Sequence, residues 1–147
     1  MKIDTKYLGI DFGLKRIGIA ISDTEKKFSF YRDYMLNDKD TYKKIIDIIL
    51  NENVSKIIIG YPLNLKSEKT EITFCVEKFC EELKPLLVKK EKDIEIVFFD
   101  ERFSSSLAQE NLIQSGLSKK KRREKGILDS MSAKIILQDY LDSPLKK

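Results

Sequence analysis

A chain of 147 residues, 41% hydrophobic and 35% charged, is expected to form one domain over residues 1–147 and to bury a core without staples. It has no histidine, which removes Ser-His-Asp and Cys-His catalysis and most zinc sites; chemistry must rest on carboxylates, Lys, Tyr, Ser or Cys. The net charge is +4, but Lys119–Lys125 holds six bases and one acid and leaves the remainder at −1, so the basicity is local.

In chain order, the apolar runs Tyr7–Phe12 and Ile17–Ser22 flank Gly13-Leu14-Lys15-Arg16. They read as two strands joined by a tight hairpin, with Gly13 expected to supply a positive φ. Lys26–Met35, with Phe28, Phe30, Tyr31 and Tyr34, predicts a third strand. Thr41–Asn51 repeats Ile and Leu at helical spacing. Lys56–Gly60 predicts a buried strand that ends at Gly60-Tyr61-Pro62-Leu63-Asn64. A longer helix is expected over Thr70–Lys90, with Pro85 kinking it or ending it early. Ile94–Phe99 predicts a strand that runs into Asp100-Glu101-Arg102. Ser106 and Gln109 are spaced as a capping box for a helix that stops at Gly116. The basic loop follows, and then a last helix over Leu128–Leu141. The aromatics Phe28, Phe30, Phe98 and Phe99 are expected in the core.

Cys75 and Cys80 stand about 140° apart around a helix axis, which predicts buried, reduced thiols rather than a disulfide. No signal peptide is visible and no apolar run approaches the ~18–20 residues that span a bilayer, so the expected location is the cytoplasm, with no membrane contact. The order β-β-β-α-β-α-β-α-α predicts an α/β fold, a five-stranded mixed sheet flanked by helices.

Three acids fall at structural transitions. Asp11 interrupts an apolar strand, where an ionised carboxylate must be paired, bind metal or sit at a solvent-open end. Glu101 follows the last strand, and Asp129 opens the last helix. Right-handed crossovers make the later strands parallel to the first, so Asp11, Asn64 and Glu101 belong to one sheet edge. Ser132, Ala133, Ile136 and Tyr140 share the helix face of Asp129, so that carboxylate points toward the body. Three acids without histidine suit Mg²⁺ or Mn²⁺, and in-line phosphodiester cleavage uses two such ions about 4 Å apart. Each residue has a plainer competitor: a turn residue for Asp11, a surface pair with Arg102 for Glu101, a dipole partner for Asp129, a solvated loop for the basic run.

Together these residues resemble the YqgF family, described both as Holliday junction resolvases and as pre-16S ribosomal RNA nucleases. The matching blocks are Leu8–Asp23, Ile59-Gly-Tyr-Pro-Leu-Asn64, Asp100-Glu-Arg-Phe-Ser-Ser105, Ser118–Arg123 and Asp129–Gln138, in the family's order and over nearly the whole chain. The resemblance implies a ribonuclease H-like fold and metal-dependent phosphodiester hydrolysis. It carries the family's three acids onto Asp11, Glu101 and Asp129, as metal ligands and catalytic residues, and places Lys15, Arg16, Asn64 and Arg102 at motif positions near the site. Two departures stand out. Tyr61 replaces a leucine, and Leu65-Lys66-Ser67-Glu68 lacks the family's usual glycine in the turn.

The expected function is therefore cleavage at the 5′ end of precursor 16S rRNA, with two Mg²⁺ (or Mn²⁺) ions held by Asp11, Glu101 and Asp129. Lys15, Arg102 and the run Lys119, Lys120, Lys121, Arg122 and Arg123 would neutralise phosphates, and ribosomal particles are a further candidate partner. The runner-up is resolution of four-way DNA junctions by the same chemistry, which favours a two-fold dimer; the expected state is a monomer or weak homodimer. An ATP-binding module is a second class, against which stand the short chain and the lack of a second phosphate hairpin. A non-catalytic RNA-binding assembly factor is a third.

Overall fold

The computed structural model describes residues 4–100 and 125–143. Its strands are β1 Lys6–Asp11, β2 Arg16–Ser22, β3 Ser29–Leu36, β4 Val54–Tyr61 and β5 Glu95–Asp100. Its helices are α1 Thr41–Asn51, α2 Glu71–Lys89 and α3 Lys125–Asp142. The sheet runs β3-β2-β1-β4-β5, with β1–β2 and β2–β3 antiparallel and β1–β4 and β4–β5 parallel. The expected five-stranded mixed sheet is therefore present. The predicted helix before the basic loop, and Glu101, Arg102, Lys119, Lys120, Lys121, Arg122 and Arg123, lie outside the described residues.

Strand alternation divides the core into two layers. Leu8, Ile10, Ile17, Ile19, Ile21, Ile57 and Ile59 pack against the α1 and α2 side, with Ile45, Ile49, Val76, Phe79 and Leu83. Ala20 and Ile58 take the other face with Ala133, Ile136, Leu137 and Tyr140 of α3. The central strands are buried on both faces, which is why they read as near-continuous Ile runs.

Several expectations are corrected. Phe28, Phe30 and Phe98 are exposed rather than core residues. Phe30 and Phe98 sit on the two edge strands, where cover is incomplete, and Phe98 leans on Tyr61 with ring centroids 4.8 Å apart; only Phe99 packs beneath α3. Pro85 does not end α2 early, since the helix continues to Lys89 with Leu83 and Leu87 buried on either side of it. Gly13 is needed for space rather than for a positive φ: a Cβ there would meet the Arg16 carbonyl oxygen at 2.5 Å. Among the described non-glycine residues, positive φ falls instead at Lys26, Asn53, Ser67 and Glu91.

The thiols are both free, but Cys75 is only half-buried while Cys80 is buried. Burial pushes the Cys80 thiol up to about 12. Only the thiolate is nucleophilic, so at pH 8 the native protein should alkylate at the half-buried Cys75 well before the buried Cys80. Peptide mass spectrometry after iodoacetamide treatment, with and without denaturant, reads this directly; equal labelling of both native thiols would contradict it.

Candidate active site

Helix α3 is seated on the sheet at three places. At its C-terminal end, the Lys56 ammonium donates to the Tyr140 hydroxyl at 2.9 Å and lies 5.0 Å from the Tyr7 ring centroid. Burial disfavours that ammonium, but the hydrogen bond to Tyr140 and the charge of Glu95 outweigh it and raise its affinity for the proton. Along its flank, the Ser29 hydroxyl donates to the Lys134 carbonyl at 2.6 Å and the Ser29 amide to Gln138 Oε1 at 2.9 Å. Gln138 Nε2 returns a bond to the Lys27 carbonyl at 2.9 Å.

The third seat is made of glycine. A Cβ on Gly9 would meet Leu137 Cβ at 2.9 Å and the Ala133 carbonyl oxygen at 3.0 Å. A Cβ on Gly18 would meet the Asp129 carbonyl oxygen at 2.0 Å. These two positions let the helix backbone approach the strands to a distance no side chain permits. The two glycines thus serve helix packing.

This seat brings two of the predicted acids to one place. Asp11 is the last residue of β1 and stands opposite Gly18 in the antiparallel register. Opposed residues on antiparallel strands leave the sheet on the same face, so Asp11 projects toward α3, where Gly18 meets Asp129. Both carboxylates are half-buried. Asp129 lies about one turn inside α3 rather than at its start. That correction weakens the dipole reading, because the helix field is felt mainly in the first turn.

Arg16 Nε lies 3.6 Å from Asp129 Oδ2. That is an ion pair at a distance beyond good hydrogen-bond geometry. Arg16 Nε is buried and, like the buried Ser130 hydroxyl, makes no hydrogen bond among the described residues. Two polar atoms near the N-terminal part of α3 are thus left without a hydrogen-bond partner among the described residues. Ser130 was not legible from sequence; its only signal is adjacency to Asp129.

The remaining predicted residues distribute as follows. Lys15 is exposed in the hairpin. Asn64 follows β4, parallel to β1, and so sits at the same sheet edge as Asp11. Its Oδ1 accepts from the Lys66 amide at 2.9 Å and the Glu68 amide at 3.0 Å, which makes it the organising acceptor of the rim turn. Ser67 occupies the left-handed region of that turn at φ 63°, a conformation that favours glycine. Tyr61 braces the rim: its hydroxyl donates to Glu77 Oε2 at 3.0 Å, and Lys69 pairs with the same oxygen at 3.0 Å. Glu101 and Arg102 follow β5 directly in sequence and lie outside the described residues, as do the five basic residues 119–123. Among the described residues no group of three or more acids, cysteines or histidines could hold a metal ion, and no helix is long and apolar enough to cross a membrane.

Comparison with known proteins bears on the family and the fold. A family model described as "RuvX: Holliday junction resolvase" matches residues 5–143. A relative from Sulfurihydrogenibium sp. (strain YO3AOP1), named "Putative pre-16S rRNA nuclease", is 46% identical over 138 residues, covering 94% of this chain and 90% of its own. Among solved structures, the yeast mitochondrial Holliday junction resolvase Ydc2 superposes with a TM-score of 0.59 at 13% identity, over 96% of this chain and 79% of that one. RuvC from T. thermophilus in complex with a Holliday junction gives 0.55 at 10% identity, over 92% and 94%. At these identities the structures speak for the fold, a RuvC-like ribonuclease H fold.

Proposed function

Because the chain belongs to the RuvX family of Holliday junction resolvases, a family of nucleases, we propose that it hydrolyses phosphodiester bonds of precursor 16S rRNA near its 5′ end. The observation that supports the reading is the glycine seat, which sets the Asp129 backbone against Gly18, the register partner of Asp11, with Arg16 paired to Asp129. The rRNA substrate rests on the name of a relative 46% identical to this chain.

Two half-buried carboxylates, both hard oxygen donors, fit Mg²⁺ or Mn²⁺. Asp11 and Asp129, joined by Glu101, would hold one or two such ions. Bound there, a divalent cation supplies Lewis-acid charge to the scissile phosphate and its water nucleophile. The chain's own groups do the rest. Arg16 fixes the Asp129 carboxylate by charge. Lys15, exposed at the hairpin, meets a phosphate oxygen, and the basic run 119–123 extends that neutralisation along the strand.

The test is cleavage with Mg²⁺ or Mn²⁺ of a precursor 16S rRNA fragment beside a synthetic four-way DNA junction. Cleavage of the RNA at its 5′ flank supports the proposal. Cleavage confined to the junction moves the assignment to resolution, and cleavage of neither with either metal removes it. Binding should weaken as salt rises, and Lys15→Ala should lower the logarithmic salt slope by ~0.7–0.9, the value of one phosphate contact.

A further inference from the structure

On the opposite side of β1 from the carboxylates lies a groove that the proposed chemistry does not use. It has a volume of about 220 Å³, and its lining includes Phe12, Leu14, Tyr42, Cys75 and Phe79 together with the acids Asp38 and Glu82. We propose that this groove receives one unstacked nucleobase of the nucleic-acid strand whose phosphate lies at Asp11; the inference rests on the nuclease reading above.

Position is the first argument. Phe12 follows Asp11 in the chain and Leu14 sits in the same hairpin, so the groove begins one residue from the carboxylate. Successive residues of an extended chain point to opposite faces. Asp11 therefore faces α3 while Phe12 faces α2, with its ring centroid 5.0 Å from that of Phe79. A strand laid across the end of β1 presents its phosphate to one side and a base to the other.

Shape and lining are the second. The volume is several times the ~30 Å³ share of one water, yet smaller than the ~300–1,000 Å³ of drug-sized ligand sites. That suits a single planar ring system. Three rings line it, but Phe79 is buried, with Phe12 packed on it at 5.0 Å and Tyr42 stacked on it at 5.4 Å and 17°, so the half-buried Phe12 and Tyr42 rings are the ones a base can reach. Aromatic platforms of this kind hold bases of any sequence through their π-faces. Leu14 stands at the lip with 67% of its surface exposed, an apolar residue in a turn otherwise suited to phosphate. Apolar side chains so placed act as wedges between base steps.

Rigidity and charge are the third. The groove wall is tied to the hairpin: Asn37 Nδ2 donates to the Gly13 carbonyl at 2.9 Å, and the Asn37 amide to the Lys15 carbonyl at 2.9 Å. Two hydrogen bonds therefore hold the wall against the Asp11 hairpin. Lys15 and Lys78 are both exposed. They supply positive charge on either side of the groove for the flanking phosphates, and the lining acid Asp38 is paired with Lys44 at 3.3 Å. The Glu82 carboxylate, which accepts from the Tyr42 hydroxyl, retains lone pairs for a base amino group.

Cys75 lines the groove and supplies the probe. A twelve-residue oligoadenylate and an oligomer of twelve abasic tetrahydrofuran phosphodiesters are compared in EDTA at low salt, where no cleavage occurs. Both should bind, as followed by anisotropy, but only the oligoadenylate should slow Cys75 alkylation, by ~tenfold. Cys75→Trp, which fills the groove, should weaken oligoadenylate binding ~tenfold and leave the abasic oligomer unchanged. Leu14→Ala, at an exposed position where folding is not at stake, should weaken oligoadenylate binding ~threefold. Equal protection by the two oligomers, failure of either to bind, or unaltered oligoadenylate affinity in folded variants overturns the proposal. Base-dependent protection in a protein that cleaves nothing with Mg²⁺ or Mn²⁺ would sink the nuclease reading and leave the base groove standing.

Discussion

Replacing Asp11 by Asn should lower metal-dependent cleavage of the preferred substrate by ~10³-fold or more, the scale of several kcal/mol of charge stabilisation at a reacting phosphate. Asn matches Asp in size, so the loss is one of charge rather than packing. Thermal unfolding of the variant should stay near that of the wild type, and nucleic-acid binding without divalent metal should persist. Asp129→Asn should lose cleavage to the same degree, but with an added stability cost of ~1 kcal/mol. That cost arises because the Arg16 guanidinium loses a partner 3.6 Å away in a pair about seven-tenths shielded from solvent. Single-turnover cleavage and urea unfolding of the two variants separate these effects. Full activity in either variant would remove the carboxylates from the catalytic role.

Much of this site was legible because the sequence breaks its own local rules there. A carboxylate closing an Ile-rich strand is a poor strand choice, and it marked Asp11. An aspartate above Ser132, Ala133, Ile136 and Tyr140 marked a helix face turned inward, and all four of those residues are buried. The alternation of strands and helices was sufficient to make β4 and β5 parallel to β1, because the crossover hand is fixed. What stayed hidden depends on contacts between distant segments. Exposure of Phe30 and Phe98 follows from edge positions that no local pattern reveals. The Lys56–Tyr140 bond joins residues 84 apart. Gly13 looked like a turn glycine chosen for φ, whereas the nearby Arg16 carbonyl is what excludes a Cβ. The start of α3 was missed by about one turn, since the basic and glycine-containing sequence before Leu128 carries no helical periodicity. The groove behind Phe12 was invisible for the same reason: its walls come from the hairpin, the β3–α1 connection and α2.

Gly18 is where fold and chemistry meet most sharply, and Gly18→Ala should be the most damaging one-carbon change in the described chain. The added Cβ would stand 2.0 Å from the Asp129 carbonyl oxygen, 2.2 Å from its carbonyl carbon and 2.7 Å from the Ser130 nitrogen. All three are backbone atoms of a helix interior, so no rotamer change relieves the clash. The helix must lift by about 1 Å to restore tolerable contact. Lifting is resisted further along the helix by the Lys56–Tyr140 bond and by the Ser29 bonds to Lys134 and Gln138. Overpacking a fixed core costs ~1–3 kcal/mol and occasionally more, and this site belongs at the upper end. Gly9→Ala provides the internal comparison. Its Cβ would meet a side-chain carbon at 2.9 Å and a carbonyl oxygen at 3.0 Å, an overlap of about half an ångström and far smaller than at Gly18, and should cost ~1 kcal/mol. Urea midpoints should therefore fall in the order wild type, Gly9→Ala, Gly18→Ala. Cleavage should be lost in Gly18→Ala even under conditions where it remains folded, because the displaced segment carries Asp129. A Gly18→Ala protein with wild-type midpoint and wild-type cleavage would show that the approach of α3 to β2 is not what holds the two carboxylates together.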